Sequence, residues 1–224
     1  MGNFICFEGL DGSGKSTVAK KVVEKLKELD FEVIYLDKKN CDFLDAYVNK
    51  HMKTIKSILW DYAPDEPLYK LGDYHWLLLN ASWFAALENC ILRPLLKKDS
   101  IVIMDNWYYK LVARFILKDG FDKTLIETSF RNLVRPDLTI FLDVDPEVAV
   151  SRRDSFSITE TGNMDGLVGK SKDNFIIYQN KVRKVLNQMS EEVNWLKIDT
   201  NIKDENSVVG EAVSSIKKFS LQII

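Results

Sequence analysis

The stretch FICFEGLDGSGKST at positions 4–17 constrains this chain more than any other. Phe4, Ile5, Cys6 and Phe7 make an apolar run of buried-strand length. Gly9-Leu10-Asp11-Gly12-Ser13-Gly14-Lys15-Ser16 then fits the pattern G-x-x-x-x-G-K-[ST] at every fixed position. Val18, Val22, Val23, Leu26 and Leu29 follow at helical spacing among charged residues, which predicts an amphipathic helix. A glycine-rich turn that happens to end in Gly-Lys-Ser is the bland alternative. The strand before and the helix after are the context in which this pattern binds phosphate.

The residue types explain the chemistry. Glycines let the backbone curl so that successive N–H groups point inward, a nest for phosphate oxygens. The N-terminus of the following helix adds partial positive charge. Lys15 has the reach for β- and γ-phosphates, and the Ser16 hydroxyl can ligate Mg²⁺. Gly9, Gly12, Ser13, Gly14, Lys15, Ser16 and Thr17 are therefore the candidate ATP-binding residues.

At 224 residues the chain is expected to form one large α/β domain over 1–224, or a core with an inserted lid. An apolar content of 46% suits a soluble protein with a sizeable core. The net charge of −2 offers no global attraction to a nucleic-acid polymer. No stretch approaches the ~20 apolar residues of a membrane span, and the short first apolar run, followed by Glu8, does not read as a signal peptide. No membrane partner is expected. Cys6, Cys41 and Cys90 lack metal-ligand spacing and fit buried or free thiols in a reducing cytoplasm.

Residues 32–36 read as a second strand, joined to the first through a helix as a right-handed βαβ unit. The pattern is helical over 41–60, breaks at 63–67 with Pro64 and Pro67, and is helical again over about 68–98 with Pro94 as a kink or boundary. Residues 101–105 form a buried strand ending in the carboxylate of Asp105. Helices over 108–118 and 122–133 precede a strand over 138–142. Asp145 as N-cap and Pro146 in first position open a helix over 146–153. Residues 154–169, rich in Ser, Thr and Gly, read as a mobile surface loop. A helix over 172–190, a strand over 194–198 and a helix over 204–221 complete the chain. Strands alternating with helices imply a mostly parallel sheet covered on both faces.

With these pieces placed, the chain resembles the thymidylate kinase family of nucleoside monophosphate kinases nearly end to end. Phe7-Glu8-Gly9-Leu10-Asp11 is similar to that family's F-E-G-x-D/E opening. LLLNASWFAALENCILRPL at 77–95 resembles its long helix with an R-P-x-L ending. PDLTIFLDVDPE at 136–147 resembles its fourth strand and turn, and Arg152-Arg153 opens a segment placed like its lid, about 152–172. Phe175, Tyr178 and Val182 fit the helix after the lid, and Ile198-Asp199-Thr200-Asn201 the adenine-side loop. The resemblance implies a P-loop NTPase fold with a five-stranded parallel sheet flanked by helices. It also implies Mg-ATP as donor and phosphoryl transfer to a second bound nucleotide, thymidylate by default. The family commonly dimerises through helices beside the sheet, so a homodimer is one implication, although core burial explains the apolar helix around 76–92 equally well.

The departures concern the acceptor. The family's third strand ends in Asp-Arg, where this chain has Asp105-Asn106. Its long helix carries Phe and, four residues on, Arg, where Leu79 and Trp83 stand here. The family's T-R-E-P after the second strand is replaced by Asp37-Lys38-Lys39-Asn40, and its S-x-x-A-Y-Q by KLVARF at 110–115. Losing arginine forks removes bidentate phosphate recognition, which lysine restores only as a point charge. Lys38, Lys39, Lys110 and Arg114 could together supply that charge. Equally, the acceptor could lack a phosphate and Trp83 could stack on a ring; the helical spacing of Trp76, Leu79, Trp83 and Leu87 also fits plain core.

By the same resemblance Asp11 meets the acceptor's sugar hydroxyl, though it also suits a tight turn. Asp105 can hold Mg²⁺ through its water shell or merely cap the next turn. Arg152 or Arg153 can close over the transferring phosphoryl group, or both can be a solvated pair near a helix C-terminus. The catalytic candidates are thus Lys15, Asp11, Arg152 and Arg153, the metal candidates Ser16 and Asp105, and the acceptor candidates Asp11, Lys38, Leu79, Trp83, Asn106, Lys110 and Arg114. Three readings remain: a nucleoside monophosphate kinase, a kinase of an unphosphorylated small molecule, and an ATP-binding regulator without turnover.

Overall fold

The computed structural model describes residues 2–63 and 66–221. Strands β1 (Phe4–Gly9), β2 (Val33–Leu36), β3 (Ile101–Asp105), β4 (Leu138–Asp143) and β5 (Trp195–Asp199) form a five-stranded sheet in the order β2-β3-β1-β4-β5. Every pairing is parallel. Alternation along β1 divides the core. Phe4 and Cys6 pack on one side with Val102, Met104 and Phe141, whereas Ile5 and Phe7 pack on the other with Ile103, Ile140 and Leu142. The second side is covered by α1 (Lys15–Glu28) and α9 (Glu205–Leu221), through Val18, Val22 and Leu26 and through Val208, Ala212 and Ile216. The first side takes α3 (Gly72–Leu87), α5 (Tyr109–Ile116) and α8 (Lys172–Met189), with α2 (Ala46–Trp60) and α6 (Lys123–Phe130) packed beside α3.

This order makes a topological switch point. The chain leaves β1 for β2 past one neighbour and reaches β4 on the other side, so a crevice opens at the C-terminal ends of β1 and β3. Phe7 lies in register with Asp105 there. The glycine loop after β1 and the carboxylate ending β3 are thereby brought together from positions nearly a hundred residues apart.

Two local expectations need correction, and a third holds in its backbone but not in its side-chain bond. The helix expected from 41 begins only at Ala46, because the Asp37 carboxylate accepts from the N–H groups of Lys39 and Asn40 in a turn, and Asp45 then caps α2 through Val48 N at 2.9 Å. The long helix over 68–98 is divided into a 3₁₀ turn (Leu68–Leu71), α3, a π turn (Glu88–Leu92) and α4 (Arg93–Leu96). Pro94 has no N–H to donate and would press on the carbonyl four residues back, and the wide turn immediately before α4 relieves both. Asp145 has the backbone of an N-cap, and Pro146 opens α7 (Pro146–Ser151), but the Asp145 carboxylate makes no cap bond and accepts from Arg183 of α8 instead. Pro64 and Asp65, in the break expected at 63–67, lie outside the described residues. Among the described residues no helix is long and apolar enough to cross a membrane.

Candidate active site

The loop after β1 turns on left-handed residues. Gly12 and Gly14 both have φ of 85°, and a Cβ on Gly12 would stand 2.8 Å from the Ala149 carbonyl, so only glycine fits. Lys15 begins α1 and folds back over its own loop, donating to Leu10 O at 2.5 Å and Ser13 Oγ at 3.3 Å. Burial, reinforced by Lys110, lowers its ammonium from the usual 10.5 to about 7, against the opposing pull of Asp11 and Glu8. This loop, Ser16, Thr17, Lys20 and Tyr35 line a cavity of about 410 Å³.

The Ser16 hydroxyl donates to one oxygen of Asp105, and the Tyr35 hydroxyl donates to the other at 2.8 Å. A hydroxyl and a carboxylate meeting on the wall of a phosphate cavity suit a hard cation that takes its remaining ligands from phosphate and water. Among the described residues no three His, Cys, Asp or Glu side chains converge into a cage that would hold a metal unaided. The donor set fits Mg²⁺.

A second cavity, of about 550 Å³, lies alongside. Trp60, Asn80, Phe84 and residues of the 154–169 loop line it, and it shares Asp11, Lys38, Lys39, Asn106, Lys110 and Arg153 with the first. Four basic side chains therefore stand where the cavities meet. Asp11 is gripped at one oxygen by Lys110 Nζ (2.6 Å) and at the other by Arg114 Nη2 (2.8 Å). Burial alone would raise its carboxyl, but these two cations outweigh it and hold it well below the usual carboxylate range. Lys38 donates to the Asn106 carbonyl at 2.5 Å, and burial brings its ammonium down to about 8. Asn106 is itself left-handed, with φ of 68°; oriented to satisfy its amide, it donates to Glu8 Oε2 at 3.1 Å and accepts from Lys110 at 3.3 Å.

The two arginines at the end of α7 part company. Arg152 donates to the Thr200 carbonyl at 2.8 Å, toward the loop after β5. Arg153 runs over the phosphate loop, its Cδ 3.2 Å from where a Cβ on Gly12 would lie, and lines both cavities.

The structure brings Gly12, Gly14, Lys15, Ser16, Thr17, Asp11, Lys38, Asn106, Lys110, Asp105 and Arg153 to the walls of the phosphate cavity, and Arg114 to the cavity beside it. Gly9 and Ser13 lie at the base of the loop, Ser13 against Lys15. Leu79 and Trp83 do not join them. Trp83 is buried behind Trp60, ring centroids 4.9 Å apart, and against Phe43 at 6.4 Å, and its indole N–H has no partner among the described residues. Asn80 and Phe84, one residue further along α3, face the cleft instead. Reasoning from sequence also missed Trp60, Tyr35, Glu160 and the fully buried Glu8. Only Glu8, an acid inside an otherwise apolar strand, carried a signal that could have marked it.

The thymidylate kinase family profile matches residues 7–209. The chain belongs to the thymidylate kinase family. A probable thymidylate kinase from Archaeoglobus fulgidus is 32% identical over 221 residues, covering 96% of this chain and 98% of that one. The thymidylate kinase of Plasmodium falciparum is 29% identical over 99% of this chain and 92% of its own. Among solved structures, thymidylate kinase from Candida albicans superimposes with a TM-score of 0.66 at 21% identity, covering 97% of this chain and 92% of its own. That likeness places the sheet order and helices within the fold of thymidylate kinases.

Proposed function

We propose that this thymidylate kinase family member moves the γ-phosphoryl group of ATP to a nucleoside monophosphate, with thymidylate, the substrate in its relatives' names, as first choice. The carrying observation is the shared wall. A phosphate-loop cavity and a larger aromatic-walled cavity meet at Lys38, Lys39, Lys110 and Arg153, where the two substrates' phosphates would face each other. So much positive charge supports an acceptor that carries a phosphate over one that does not.

In the reaction an oxygen of the acceptor phosphate bonds to Pγ, the bond from Pγ to the β–γ bridging oxygen breaks, and ADP leaves with that electron pair. The protein's task is alignment and charge neutralisation. The loop N–H groups and Lys15 hold the ATP tail, and Arg153 reaches the transfer point from the lid side. Lys38, Lys39 and Lys110 hold the acceptor phosphate. Asp11, fixed by Lys110 and Arg114, offers its remaining lone pairs to the acceptor's sugar. Phe84 and Trp60 wall the base end, with Asn80 as its polar contact. Arg152 is assigned to the adenine side through Thr200. Ser16 and Asp105 would hold Mg²⁺, which when bound neutralises phosphate charge. The exposed side chains Leu71, Tyr74 and Leu78 around α3 support a homodimer, and the free thiols of Cys6, Cys41 and Cys90 a cytoplasmic setting.

The test is ADP release from Mg-ATP with a panel of ribo- and deoxynucleoside monophosphates, the matching nucleosides and a blank. Turnover on thymidylate or another monophosphate, abolished in Lys15→Ala, is expected. Turnover confined to unphosphorylated acceptors would overturn the assignment, as would ATP binding with silence across the panel.

A further inference from the structure

The contact that sets Arg153 in place is made by an acid the reaction does not require. Arg153 Nη1 donates to Glu160 Oε1 at 2.9 Å and Nη2 to Oε2 at 3.0 Å, a two-point fork that fixes the plane of the guanidinium as well as its position. The flanks are aromatic: the guanidinium carbon lies 5.9 Å from the ring centroids of both Phe156 and Phe175. Glu160 is anchored in turn. Its second oxygen also accepts from Ser157 N at 2.8 Å, and its carbonyl accepts from the buried Gln179 side chain of α8 at 2.9 Å. Of these two cavities Glu160 lines the larger and not the phosphate-loop one, whereas Arg153 lines both.

A guanidinium has five N–H donors. The fork consumes two and leaves Nε–H and one hydrogen on each terminal nitrogen, so Arg153 can be held by Glu160 and still donate to phosphate oxygens. Without the fork, a long flexible side chain would have to be ordered anew in each turnover. We infer that Glu160 is a positioning residue for phosphoryl transfer, its carboxylate holding the Arg153 guanidinium at the wall the two cavities share. The inference rests on the assignment of Arg153 to the transfer point. A staple that merely closed the 154–169 loop would need no such placement beside the phosphate loop.

The experiment compares Glu160→Gln, Glu160→Asp, Arg153→Ala and the double variant Arg153→Ala/Glu160→Gln, measuring kcat, KM for each substrate, ATP affinity and thermal midpoint. Glu160→Gln keeps an oxygen for Ser157 N–H but loses the charged fork. It is expected to lower kcat by roughly tenfold to a hundredfold with ATP affinity unchanged. Glu160→Asp, shorter but still charged, should recover part of that loss and also serves if the amide fails to fold. In the Arg153→Ala background, Glu160→Gln should lower kcat no further, because the acid acts through the arginine. Multiplying losses in the double variant would overturn the inference, and so would wild-type kcat in Glu160→Gln or a loss confined to the thermal midpoint. Wild-type kcat in Arg153→Ala would instead remove the assignment of Arg153 itself, and with it the role of Glu160.

Discussion

Lys15 and Lys38 sit in a protein that has made their charge costly before any substrate arrives. Burial, with Lys110 adding to it, takes them from the usual 10.5 to about 7 and about 8. Between those values and 10.5 the unfolded chain holds protons that the folded cleft does not, so their contribution to stability rises with pH across that window and is most unfavourable below it. A bound polyphosphate reverses the balance, because a neighbouring anion favours the ammonium form. Binding of ATP at about pH 8.5 should therefore take up about one proton through Lys15, the lysine that faces its phosphates, and at about pH 6 almost none through either lysine. Calorimetry in two buffers of different ionisation enthalpy reads this directly. In Lys15→Met most of the uptake should vanish, and equal heats in both buffers at the higher pH for the unaltered protein would refute the assignment. Lys15 was legible in the sequence because its chemistry is local to the loop. The depressed value was not, since it depends on Lys110 and on burial by distant elements.

Helix α3 shows where sequence patterns lose their grip. Its sequence, GDYHWLLLNASWFAAL, is apolar on nearly every face, so no amphipathic stripe selects the side that meets the cleft. Resemblance pointed to Leu79 and Trp83, while Asn80 and Phe84 share the same four-residue spacing one position along and are the ones exposed to the cavity. The indole of Trp83 fills the space behind Trp60 and stays in the core. Trp83→Ala should therefore cost about 3–5 kcal/mol of stability, with KM for the acceptor unchanged in the folded fraction. Asn80→Ala removes a cleft amide whose one bond among the described residues runs to the Trp76 carbonyl. It should raise KM for the acceptor by a factor of about five, the worth of roughly 1 kcal/mol, and leave the thermal midpoint nearly unmoved. Denaturation curves and initial rates on both variants decide between the faces, and the reverse pattern would restore Trp83 to the pocket. The strands fared better, β3 matching its expected span, because short apolar runs between breakers leave little choice of register. The start of α2 moved from 41 to Ala46, where the Asp37 turn and the Asp45 cap intervene, whereas Pro146 opens α7 where expected even though the Asp145 carboxylate turns to Arg183.

At the scale of the molecule the site is a convergence that no single stretch of sequence announces. The loop after β1, the turn after β2, the end of β3, α5 and the 154–169 segment all reach it. Composition reveals that last segment as irregular, but not what holds it. Besides the Arg153–Glu160 fork and Gln179, a holding group is Lys118, just beyond α5, whose ammonium bonds the Met164 carbonyl at 3.0 Å, Asp165 at 2.8 Å and Asp73 of α3 at 2.8 Å. Its side chain is only 9% exposed, so these bonds have little competition from water. One cation thus joins α5, the segment carrying Glu160, and the helix carrying Asn80 and Phe84. Lys118→Ala leaves two carboxylates facing each other without it. Charged hydrogen bonds of this kind are worth about 1.5–3 kcal/mol, so amide exchange across 154–169 should speed by about tenfold to a hundredfold, while β1 and β3 keep their protection. KM for the acceptor should rise and ATP affinity hold, because Lys118 bonds Met164, Asp165 and Asp73 and does not line the phosphate-loop cavity. Exchange measured with and without ATP separates the outcomes. Equal acceleration in the sheet would show Lys118 to be a global prop, and unchanged exchange in 154–169 would show that the segment is held by its own turns, Gln179 and the Arg153–Glu160 fork without it.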